Sequence, residues 1–561
     1  MPSRYLVTAG LPYSNGRLHV GHIAGAYLPA DTYVRYLRAC GRDVRFICGS
    51  DDNGVAIEIS ALRSGKSPQE ISTHFHEVQK RDFAGLGIEF DVYGGTHQPG
   101  YREMHERISQ EFFLRIHEKG YFTKKSTRQL YDPKAARFLP DRYVRGKCHH
   151  CGAAGATGDQ CDNCGQMIDP LLLINPVSEI TGERAEVRET THWFLSLQKF
   201  EQPLKEWLES KRGQWRANVL NFALGQIKQG LPERSMTRDI SWGIPVPLDD
   251  PDARGKVLFV WFDAPIGYIS FTAQLFADQL GNWREYEKWW CDPESAIVHF
   301  IGEDNTVFHA LIWPAMLMAD GRHQLPSAVV ANNFVNIRMG EGDEKVSKSK
   351  TAENSPVWIQ EYLKRFDPDA LRYYLTAIAP ETARTSFDPA DFLQRNNSEL
   401  VAAFGNFVNR TLTFPARYFD GKMPAATAQT PRDREHLAAG EAALTKVGQQ
   451  IEGHHFRAAL EEMMGYARLC NEFFSIREPW RTRKDDPADC AAAIATCIHA
   501  VQYLATMAYP FMPAAAKRLL TMLNAPSEQI RWEPPVPLPE GHVLGQPAIL
   551  FQKLEPDAMS M

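Results

Sequence analysis

Short apolar runs and polar loops alternate along the first fifty residues. The apolar run at residues 5–9 predicts a buried strand, and a loop rich in Gly, Pro and Asn follows at residues 10–17. Residues 20–39 have a helix-like pattern, with a kink or break expected at Pro29, and residues 43–48 predict the next strand. Strand, loop, helix and strand in this order open a βαβ unit, which predicts a parallel sheet.

Two changes of pattern divide the rest of the chain. Residues 120–232 contain a cysteine cluster and many Gly, Asp and Arg residues, and this stretch predicts an insertion. Apolar runs at residues 257–261 and 296–302 predict a return to strands of the sheet. After about residue 390 the strand signals fade, and segments rich in Ala, Leu, Glu and Arg predict a helical domain to about residue 520, before an irregular tail.

Composition and charge narrow the class of protein. Of 561 residues, 44% are hydrophobic and 23% are charged, which is ordinary for a globular protein of several domains. The net charge of −6 excludes a generic polycation that coats nucleic acid, but it is compatible with a local basic face. No uninterrupted apolar run reaches the roughly 18–20 residues that span a bilayer, and the first residues lack a signal-peptide pattern. We therefore expect a cytoplasmic protein with no membrane association.

The tetrapeptide His19-Val20-Gly21-His22 stands where the first loop meets the predicted helix. A helix N-terminus presents free N–H groups and a partial positive charge, and both favour phosphate. Gly21 would let the backbone approach a nucleotide closely, and the two histidines, three residues apart on one helical face, can donate hydrogen bonds to phosphate oxygens. On its own, the motif is more typical of a packed helix start with two polar residues.

A second polar motif, Lys345-Val346-Ser347-Lys348-Ser349, follows a stretch rich in Gly and Glu. It contains two lysines, Lys345 and Lys348, and flexible lysines can neutralise the charge that builds on a triphosphate as pyrophosphate leaves. Alone, this motif is more typical of a solvated basic turn. The two motifs together, in this order and each at an edge of an αβ half, predict an enzyme that uses ATP to adenylate its substrate.

Four of the ten cysteines form two CxxC pairs, each followed directly by a glycine; they are Cys148, Cys151, Cys161 and Cys164. Two such pairs supply four thiolates in a tetrahedron, which predicts one structural Zn²⁺ with no coordination position open for catalysis. A disulfide framework is not expected, because the chain is large and the other six cysteines are scattered. Four unrelated buried thiols and an iron–sulfur cluster are the alternatives.

Asp51 and residues 261–268 are candidates for a substrate pocket. Asp51 follows a predicted strand, at the end where ligands of parallel sheets bind, and its carboxylate suits a substrate ammonium group. An acidic turn over residues 51–54 is the alternative. Residues 261–268 combine aromatic and small side chains after another predicted strand, which is typical of an apolar pocket or of ordinary core.

These motifs together resemble the class I aminoacyl-tRNA synthetases and, within that class, the methionyl-tRNA synthetase family. Residues 19–22 are similar to the HIGH signature of the class, and residues 345–349 are similar to its KMSKS loop with Val346 in place of methionine. Leu11-Pro12-Tyr13, the four-cysteine knuckle and three further segments also fit the family; these segments are residues 239–247, 260–268 and 308–317. The resemblance covers about residues 4–555.

The resemblance implies an α/β fold, with a split Rossmann-type catalytic domain followed by an α-helical bundle that binds the anticodon. The two catalytic halves are expected at residues 1–119 and 233–330, on either side of a connective insertion with the zinc knuckle at residues 120–232. A stem-contact region with the KMSKS-like loop is expected at residues 331–390, and the anticodon-binding domain with a C-terminal tail at residues 391–561.

The resemblance also implies the residues of two small-molecule sites. The methionine pocket would consist of Leu11, Tyr13, Asp51, Trp261, Ala264, Pro265, Tyr268 and His309. Asp51 would bind the ammonium group, the aromatic rings would enclose the thioether, and His309 and Tyr268 would point hydrogen bonds toward the sulfur. ATP would lie against His19, Gly21 and His22, with Asp304 nearby and Lys348 on the phosphates. Asn305 and Asn332-Asn333 depart from the family pattern, which has an apolar residue and a His-Gly pair at these places in some members.

A third implied site lies in the predicted helical domain. Asn406 and Arg410 are four residues apart on one helical face, and Trp480 follows Arg477-Glu478-Pro479. By resemblance these residues read the tRNA anticodon, because single-stranded bases are recognised by stacking on aromatic rings and by hydrogen bonds to their edges. A core position at a helix end is the alternative for Trp480.

The implied reaction joins methionine to tRNA(Met), both initiator and elongator, in two steps. The methionine carboxylate attacks the α-phosphate of Mg²⁺-bound ATP, and the tRNA 3′ ribose hydroxyl then takes the methionyl group. Another amino acid of the same class, a small-molecule nucleotidyltransferase and a non-catalytic RNA-binding paralogue are the alternatives. Because the chain ends soon after the helical domain, we expect a monomer.

Overall fold

The structure is a computed structural model, and it describes residues 2–140, 143–158, 161, 163–164, 168–339, 342–344, 358–526 and 530–555. The first αβ half begins as the hydrophobic pattern predicts. Its elements are β1 (Arg4–Ala9), α1 (Val20–His22), α2 (Leu28–Ala39), β2 (Asp43–Ser50), α3 (Val55–Ser64), α4 (Pro68–Gly85), β3 (Val92–Gly95) and α5 (Arg102–Glu118). Strand β2 continues two residues beyond its predicted end, so Asp51 directly follows it.

We expected a kink or a break at Pro29, and the break is wrong because the helical path continues through this residue. Residues Ile23–Tyr27 form a π-helix between α1 and α2, and Pro29 takes the second position of α2. Proline has no N–H to donate to the carbonyl of Gly25 four residues earlier. The side chain of Asn332 supplies that hydrogen bond, with its Nδ2 3.0 Å from the Gly25 oxygen. A wider turn and a donor from a distant strand therefore accommodate the proline.

The insertion consists of antiparallel strands followed by two helices. Its elements are β4 (Phe122–Asp132), β5 (Arg137–Phe138), β6 (Val144–Lys147), β7 (Ala156–Thr157), β8 (Ile174–Ser178), β9 (Glu186–Leu195), α6 (Glu201–Ser210) and α7 (Ala217–Gln229). Strands β4 and β9 pair from Phe122↔Leu195 to Tyr131↔Glu186. The small sheet β7-β6-β8 carries the cysteine pairs.

The second αβ half completes the central sheet. Its elements are β10 (Arg234–Ser235), β11 (Thr237–Arg238), β12 (Val257–Leu258), α8 (Val260–Leu280), α9 (Glu287–Trp290), β13 (Ser295–Gly302), α10 (Trp313–Asp320) and β14 (Ala328–Asn332). The five-stranded sheet has the order β14-β13-β1-β2-β3, and its neighbouring strands are parallel. The expected domain boundary between residues 330 and 331 falls inside β14.

The predicted strand at residues 257–261 is wrong after its first two residues. The chain is extended only at β12, and it enters the long helix α8 at Val260. A short apolar run with aromatic and β-branched residues is compatible with a strand or with a buried helix, so periodicity alone does not distinguish them. The helical outcome places residues 261, 264, 265 and 268 on one face.

The segment between the sheet and the helical domain contains β15 (Val335–Met339), β16 (Gly342–Glu344), α11 (Ile359–Leu363), α12 (Pro368–Ala377), β17 (Thr385–Phe387) and α13 (Pro389–Arg395). The helical domain follows, as predicted, with α14 (Asn406–Tyr418), α15 (Pro431–Glu452), α16 (Phe456–Arg477), α17 (Pro479–Asp485), α18 (Pro487–Ala508) and α19 (Pro513–Met522). Among the described residues, α18 is the one helix long and apolar enough to cross a membrane, and its apolar stretch is entirely buried inside the protein.

Candidate active site and anticodon interface

A cavity of about 430 Å³ opens at the carboxyl end of the central sheet. In parallel sheets this end is where ligands bind. The cavity brings together all the predicted small-molecule site residues that the structure describes: Leu11, Tyr13, His19, Gly21, His22, Asp51, Trp261, Ala264, Pro265, Tyr268, Asp304 and His309. Lys345 and Lys348 lie outside the described residues. The candidate methionine and ATP sites are therefore two parts of one cavity.

Asp51 places a buried carboxylate at the wall of this cavity. Its backbone is fixed by two hydrogen bonds, because its N–H donates to the Pro12 carbonyl at 2.9 Å and its carbonyl accepts from Ser14 N–H at 3.0 Å. The side chain is 4% exposed, and its Oδ1 has no hydrogen-bond partner among the described residues. Burial raises the pKa of Asp51 well above its usual value, and the nearby carboxylates of Asp263 and Asp52 raise it further. Such a group is suited to pair with a ligand cation.

A buried polar network that the sequence did not reveal lies beside Asp51. Asp263 Oδ2 accepts from Asn53 Nδ2 at 2.6 Å and lies 3.4 Å from His105 Nε2. His97 Nδ1 lies 2.9 Å from Asn53 Oδ1. Burial raises the pKa of Asp263. Asp263 belongs to the 261–268 segment. The presence of an aspartate in that otherwise apolar stretch is the feature of the sequence that could have indicated the network.

Helix α8 and the segment around His309 form the aromatic part of the cavity. Trp261 Nε1 donates to the Tyr13 hydroxyl at 2.8 Å, and the Trp261 ring meets Phe308 edge-on at 5.6 Å between ring centroids. Trp261, Ala264, Pro265 and Tyr268 face the cavity with helical spacing. The result is a largely apolar wall in the same cavity as the Asp51 carboxylate.

His309 and Tyr268 bond to one another, whereas we expected both to donate toward a sulfur. His309 Nδ1 lies 3.2 Å from the Asn305 carbonyl, which only accepts hydrogen bonds, so the ring proton is on Nδ1. His309 Nε2 is then an acceptor, and the Tyr268 hydroxyl donates to it at 3.0 Å. Burial lowers the pKa of His309 to about 4. The pair is thus neutral and fixed in one orientation.

The His19–His22 motif is a helix cap as well as a cavity wall. His19 Nδ1 accepts from the backbone N–H groups of Gly21 at 3.1 Å and His22 at 3.3 Å, and His22 Nδ1 accepts from His19 N–H at 3.2 Å. The two rings stack at 3.6 Å between centroids. Our expectation of free helix N–H groups at this point is therefore wrong for Gly21 and His22. Because both Nδ1 atoms accept, both rings carry their proton on Nε2.

Gly21 is needed for this local packing. A Cβ atom at position 21 would lie 3.1 Å from the His19 ring and 3.3 Å from the Val335 carbonyl. These contacts are tighter than those of most real Cβ atoms. Gly21 therefore lets His19 fold back over the helix start, in addition to any approach of a nucleotide.

The two asparagines that depart from the family pattern have structural partners. Asn332 is buried, donates to Gly25 as described above, and accepts from Arg216 Nη1 at 2.6 Å. Asn333 lines the cavity, and its Nδ2 donates to the Pro380 carbonyl at 3.1 Å. Asn305 also lines the cavity, and its carbonyl holds His309.

The four clustered cysteines fit a tetrahedral metal ion. Their sulfur atoms all lie within 4.8 Å of one another, with 3.9 Å between Cys148 and Cys164 and 3.7 Å between Cys151 and Cys161. A Zn–S distance of about 2.3 Å requires sulfurs about 3.8 Å apart in a tetrahedron. Four thiolates at this spacing are the donor set of a structural zinc site.

The three predicted anticodon residues lie in one region of the helical domain. Arg410 and Trp480 come together, with the guanidinium carbon 5.7 Å from the Trp480 ring centroid and 4.3 Å from that of Phe474. Trp480 is 47% exposed, so it is not the core residue that we considered as the alternative. Asn406 is exposed one turn before Arg410 on α14. This surface offers a ring face and a cation to single-stranded RNA.

Comparison with known proteins agrees with the fold. The family described as "tRNA synthetases class I (M)" matches residues 5–412, and the "Anticodon binding domain of methionyl tRNA ligase" matches residues 423–560. The chain belongs to the class I tRNA synthetases.

Curated relatives and solved structures define the branch of this class. Methionine–tRNA ligase from Pyrococcus furiosus is 44% identical over 565 residues, which cover 99% of this chain and 76% of the relative. The ligase from Porphyromonas gingivalis is 44% identical over 556 residues, which cover 98% and 79% of the two chains. Methionyl-tRNA synthetase from Mycobacterium tuberculosis, solved in complex with methionyl-adenylate, is 25% identical with a TM-score of 0.78 and coverage of 98% and 99%. Within its class, the protein is a member of the methionine–tRNA ligase family.

Proposed function

We propose that this protein is a methionine–tRNA ligase that forms methionyl-adenylate from methionine and ATP and then charges initiator and elongator tRNA(Met). The observation that carries this proposal is the single cavity in which Asp51, the Trp261 wall and the His19–His22 motif meet. A buried carboxylate with one oxygen, Oδ1, unpartnered among the described residues suits the methionine ammonium, and an aromatic wall suits its thioether. The stacked histidines at the other end suit ATP.

Positioning and charge stabilisation supply the catalysis in this proposal. No side-chain nucleophile is required, since the methionine carboxylate itself attacks the α-phosphate. The Nε2–H groups of His19 and His22 donate to phosphate oxygens, and Lys345 and Lys348 neutralise the charge of departing pyrophosphate. The terminal ribose hydroxyl of the tRNA then attacks the methionyl carbonyl, and AMP leaves.

Two metal ions belong to the proposal. One Zn²⁺ is held by the four knuckle cysteines, and because these fill its tetrahedron it is structural. Mg²⁺ enters with ATP as part of the substrate.

We also propose that the protein acts as a monomer in the cytoplasm without membrane association. In light scattering, a mass near that of one chain would support the monomer, and a mass near that of two chains would refute it.

The decisive experiment is methionine-dependent ATP–pyrophosphate exchange, measured with each of the twenty amino acids. We expect exchange with methionine far above that with any other amino acid, and preferred exchange with a different amino acid would refute the assignment.

Lys348→Ala is expected to lower the rate of methionine-dependent exchange sharply, since it removes a cation from the phosphates. Lys350→Ala, two residues further along the same stretch, is the matched control. A near-normal rate for Lys348→Ala would remove Lys348 from the mechanism.

A further inference from the structure

Two arginine–aromatic pairs connect helices α14 and α17. The first is Arg410 with Trp480, which belongs to the anticodon surface already described. In the second, the Arg483 guanidinium carbon lies 4.1 Å from the ring centroid of Tyr418, so the cation stacks closely on the ring. Arg483 belongs to α17 and Tyr418 is the last residue of α14. The second pair therefore repeats the chemistry of the first on the same two helices.

Tyr418 is as accessible as Trp480, although it is held in place. The two rings are 45% and 47% exposed, respectively. The buried Phe414 ring supports Tyr418 at 4.8 Å between centroids, one turn earlier on α14. A ring that is packed on one side and open on another is a platform for a base, because it loses little freedom when the base stacks on it.

Arg483 has no carboxylate partner among the described residues, in contrast to two neighbouring arginines. Arg477 pairs with Asp433 at 3.2 Å and Asp489 at 2.6 Å, and Arg481 pairs with Glu478 at 2.7 Å. Within the described residues, no carboxylate lies within 4.0 Å of the Arg483 guanidinium. The same is true of Arg410 in the described part of the chain. Arginines that stack on exposed rings without a carboxylate partner retain their donors for a phosphate or a base edge.

The two pairs are also close enough to serve one strand of RNA. Trp480 and Arg483 are three residues apart on α17, so they occupy the same face with about 5–6 Å between their Cβ atoms. We propose that Tyr418 and Arg483 form a second nucleotide-binding site, next to Trp480, for a neighbouring base of the single-stranded tRNA loop. The base stacks on Tyr418, and Arg483 donates to its edge or to the adjoining phosphate. This inference rests on the proposed tRNA-charging function.

The test compares tRNA charging with pyrophosphate exchange in the full-length protein. Tyr418→Ala and Arg483→Ala are each expected to raise the KM for a tRNA(Met) transcript about tenfold, which lies within the range that one base–aromatic stack contributes. Methionine-dependent exchange should stay within twofold of the wild type, since the catalytic cavity is untouched. Arg481→Ala is the matched control: it removes an exposed arginine of the same helix, but one that is paired with Glu478. Values for Tyr418→Ala and Arg483→Ala that equal the Arg481→Ala value would overturn the proposal.

A second measurement separates stacking from a structural role. Tyr418→Phe retains the ring and is expected to restore charging to within twofold of the wild type. The binding of wild type and Tyr418→Ala is also compared on anticodon stem-loops that each lack one base. On the stem-loop that lacks the base stacked on Tyr418, the two proteins should bind equally well. On every other stem-loop, Tyr418→Ala should bind about tenfold more weakly than the wild type. A full tenfold loss at every position would mean that Tyr418 contacts no base, which refutes the site. If the wild type charges no tRNA(Met) at all, the proposed function itself fails; if it charges tRNA and the variants do too, only this inference fails.

Discussion

At the scale of single residues, the candidate site contains a buried carboxylate, that of Asp51, with one oxygen unpartnered among the described residues. Taking a carboxylate out of water is costly unless a cation or several hydrogen bonds compensate for it. Asp51 Oδ1 has no such partner among the described residues, and the side chains of Asp52 and Asp263 add negative potential. The free protein is thus destabilised at the point where a substrate ammonium would bind.

Asp51→Asn should separate stability from function. Removing the buried charge is expected to raise the urea midpoint of unfolding at pH 7.5, because the raised pKa of Asp51 reflects a cost of ionising it in the folded state. The KM for methionine should rise roughly 10- to 150-fold, which corresponds to a lost charged hydrogen bond of about 1.5–3 kcal/mol. Asp43→Asn, at the exposed start of the same strand, should change neither quantity. An unchanged methionine KM in Asp51→Asn would show that another group binds the ammonium.

His309 gives a prediction about pH with a definite sign. Its folded pKa is about 4 because of burial, whereas the unfolded chain has a histidine pKa of about 6.5. Well above pH 6.5 the ring is neutral in both the folded and the unfolded protein, so its burial contributes fully to the free energy of unfolding. As the pH falls toward 4, the unfolded state takes up the proton first, so that contribution is lost. At pH 5.5, one unit below the unfolded pKa, the loss is about 1.4 kcal/mol.

The measurement is urea unfolding of the wild type and His309→Gln at pH 7.5 and pH 5.5. Other titrating groups are shared, so they cancel in the difference between the two proteins. We expect the stability of the wild type relative to the variant to fall by about 1.4 kcal/mol between these pH values. A difference that does not depend on pH would mean that His309 titrates normally in the folded protein.

At the scale of elements, the hydrophobic pattern predicted the central strands and the helical domain, but not where π-helices and helix starts lie. The π-helix at Ile23–Tyr27 depends on Asn332, which is distant in sequence, so no local pattern contains it. The start of helix α8 was predicted as a strand because its first residues are aromatic and β-branched. The spacing of the pocket residues 261, 264, 265 and 268 is nevertheless that of one helical face. Likewise, the capping role of His19 depends on a ring tautomer and a folded-back rotamer that sequence does not specify.

The four-cysteine knuckle was the element most directly predictable from sequence, since cysteine spacing alone defines the donor set that a structural zinc ion needs. We expect about one zinc per chain in the wild type, and its loss in Cys161→Ser together with earlier unfolding of the β6–β8 sheet. Metal analysis by mass spectrometry and hydrogen exchange of the sheet measure the two effects. Cys291→Ser, outside the knuckle, is the control and should retain the zinc. Iron in place of zinc in the wild type, or no metal, would contradict the assignment.

At the scale of the whole molecule, two arginines connect the αβ halves with the helical domain; Arg372 is buried and Arg216 is partly buried. Arg372 pairs with Asp31 of α2 at 2.7 Å and donates to the Phe511 carbonyl at 2.8 Å. Arg216 connects even more regions. Its Nη1 donates to Asn332, its Nη2 donates to the His454 carbonyl in the helical domain, and the Glu381 carbonyl is a further, longer acceptor. Since Asn332 holds the Gly25 carbonyl at the cavity, Arg216 joins the helical domain to the part of the cavity where we propose that ATP binds.

Arg216→Lys tests this connection, because lysine keeps the charge but loses the planar fork that reaches several acceptors. Leaving part of these buried acceptors without a donor should lower the free energy of unfolding by about 2–3 kcal/mol. The KM for ATP should also rise, because Asn332 loses the partner that orients its amide toward Gly25. Arg212→Lys, an exposed arginine four residues earlier, is the control for both the urea midpoint and the exchange kinetics. Reduced stability with an unchanged KM for ATP would limit Arg216 to holding the domains together; unchanged stability would show that its hydrogen bonds do not connect them.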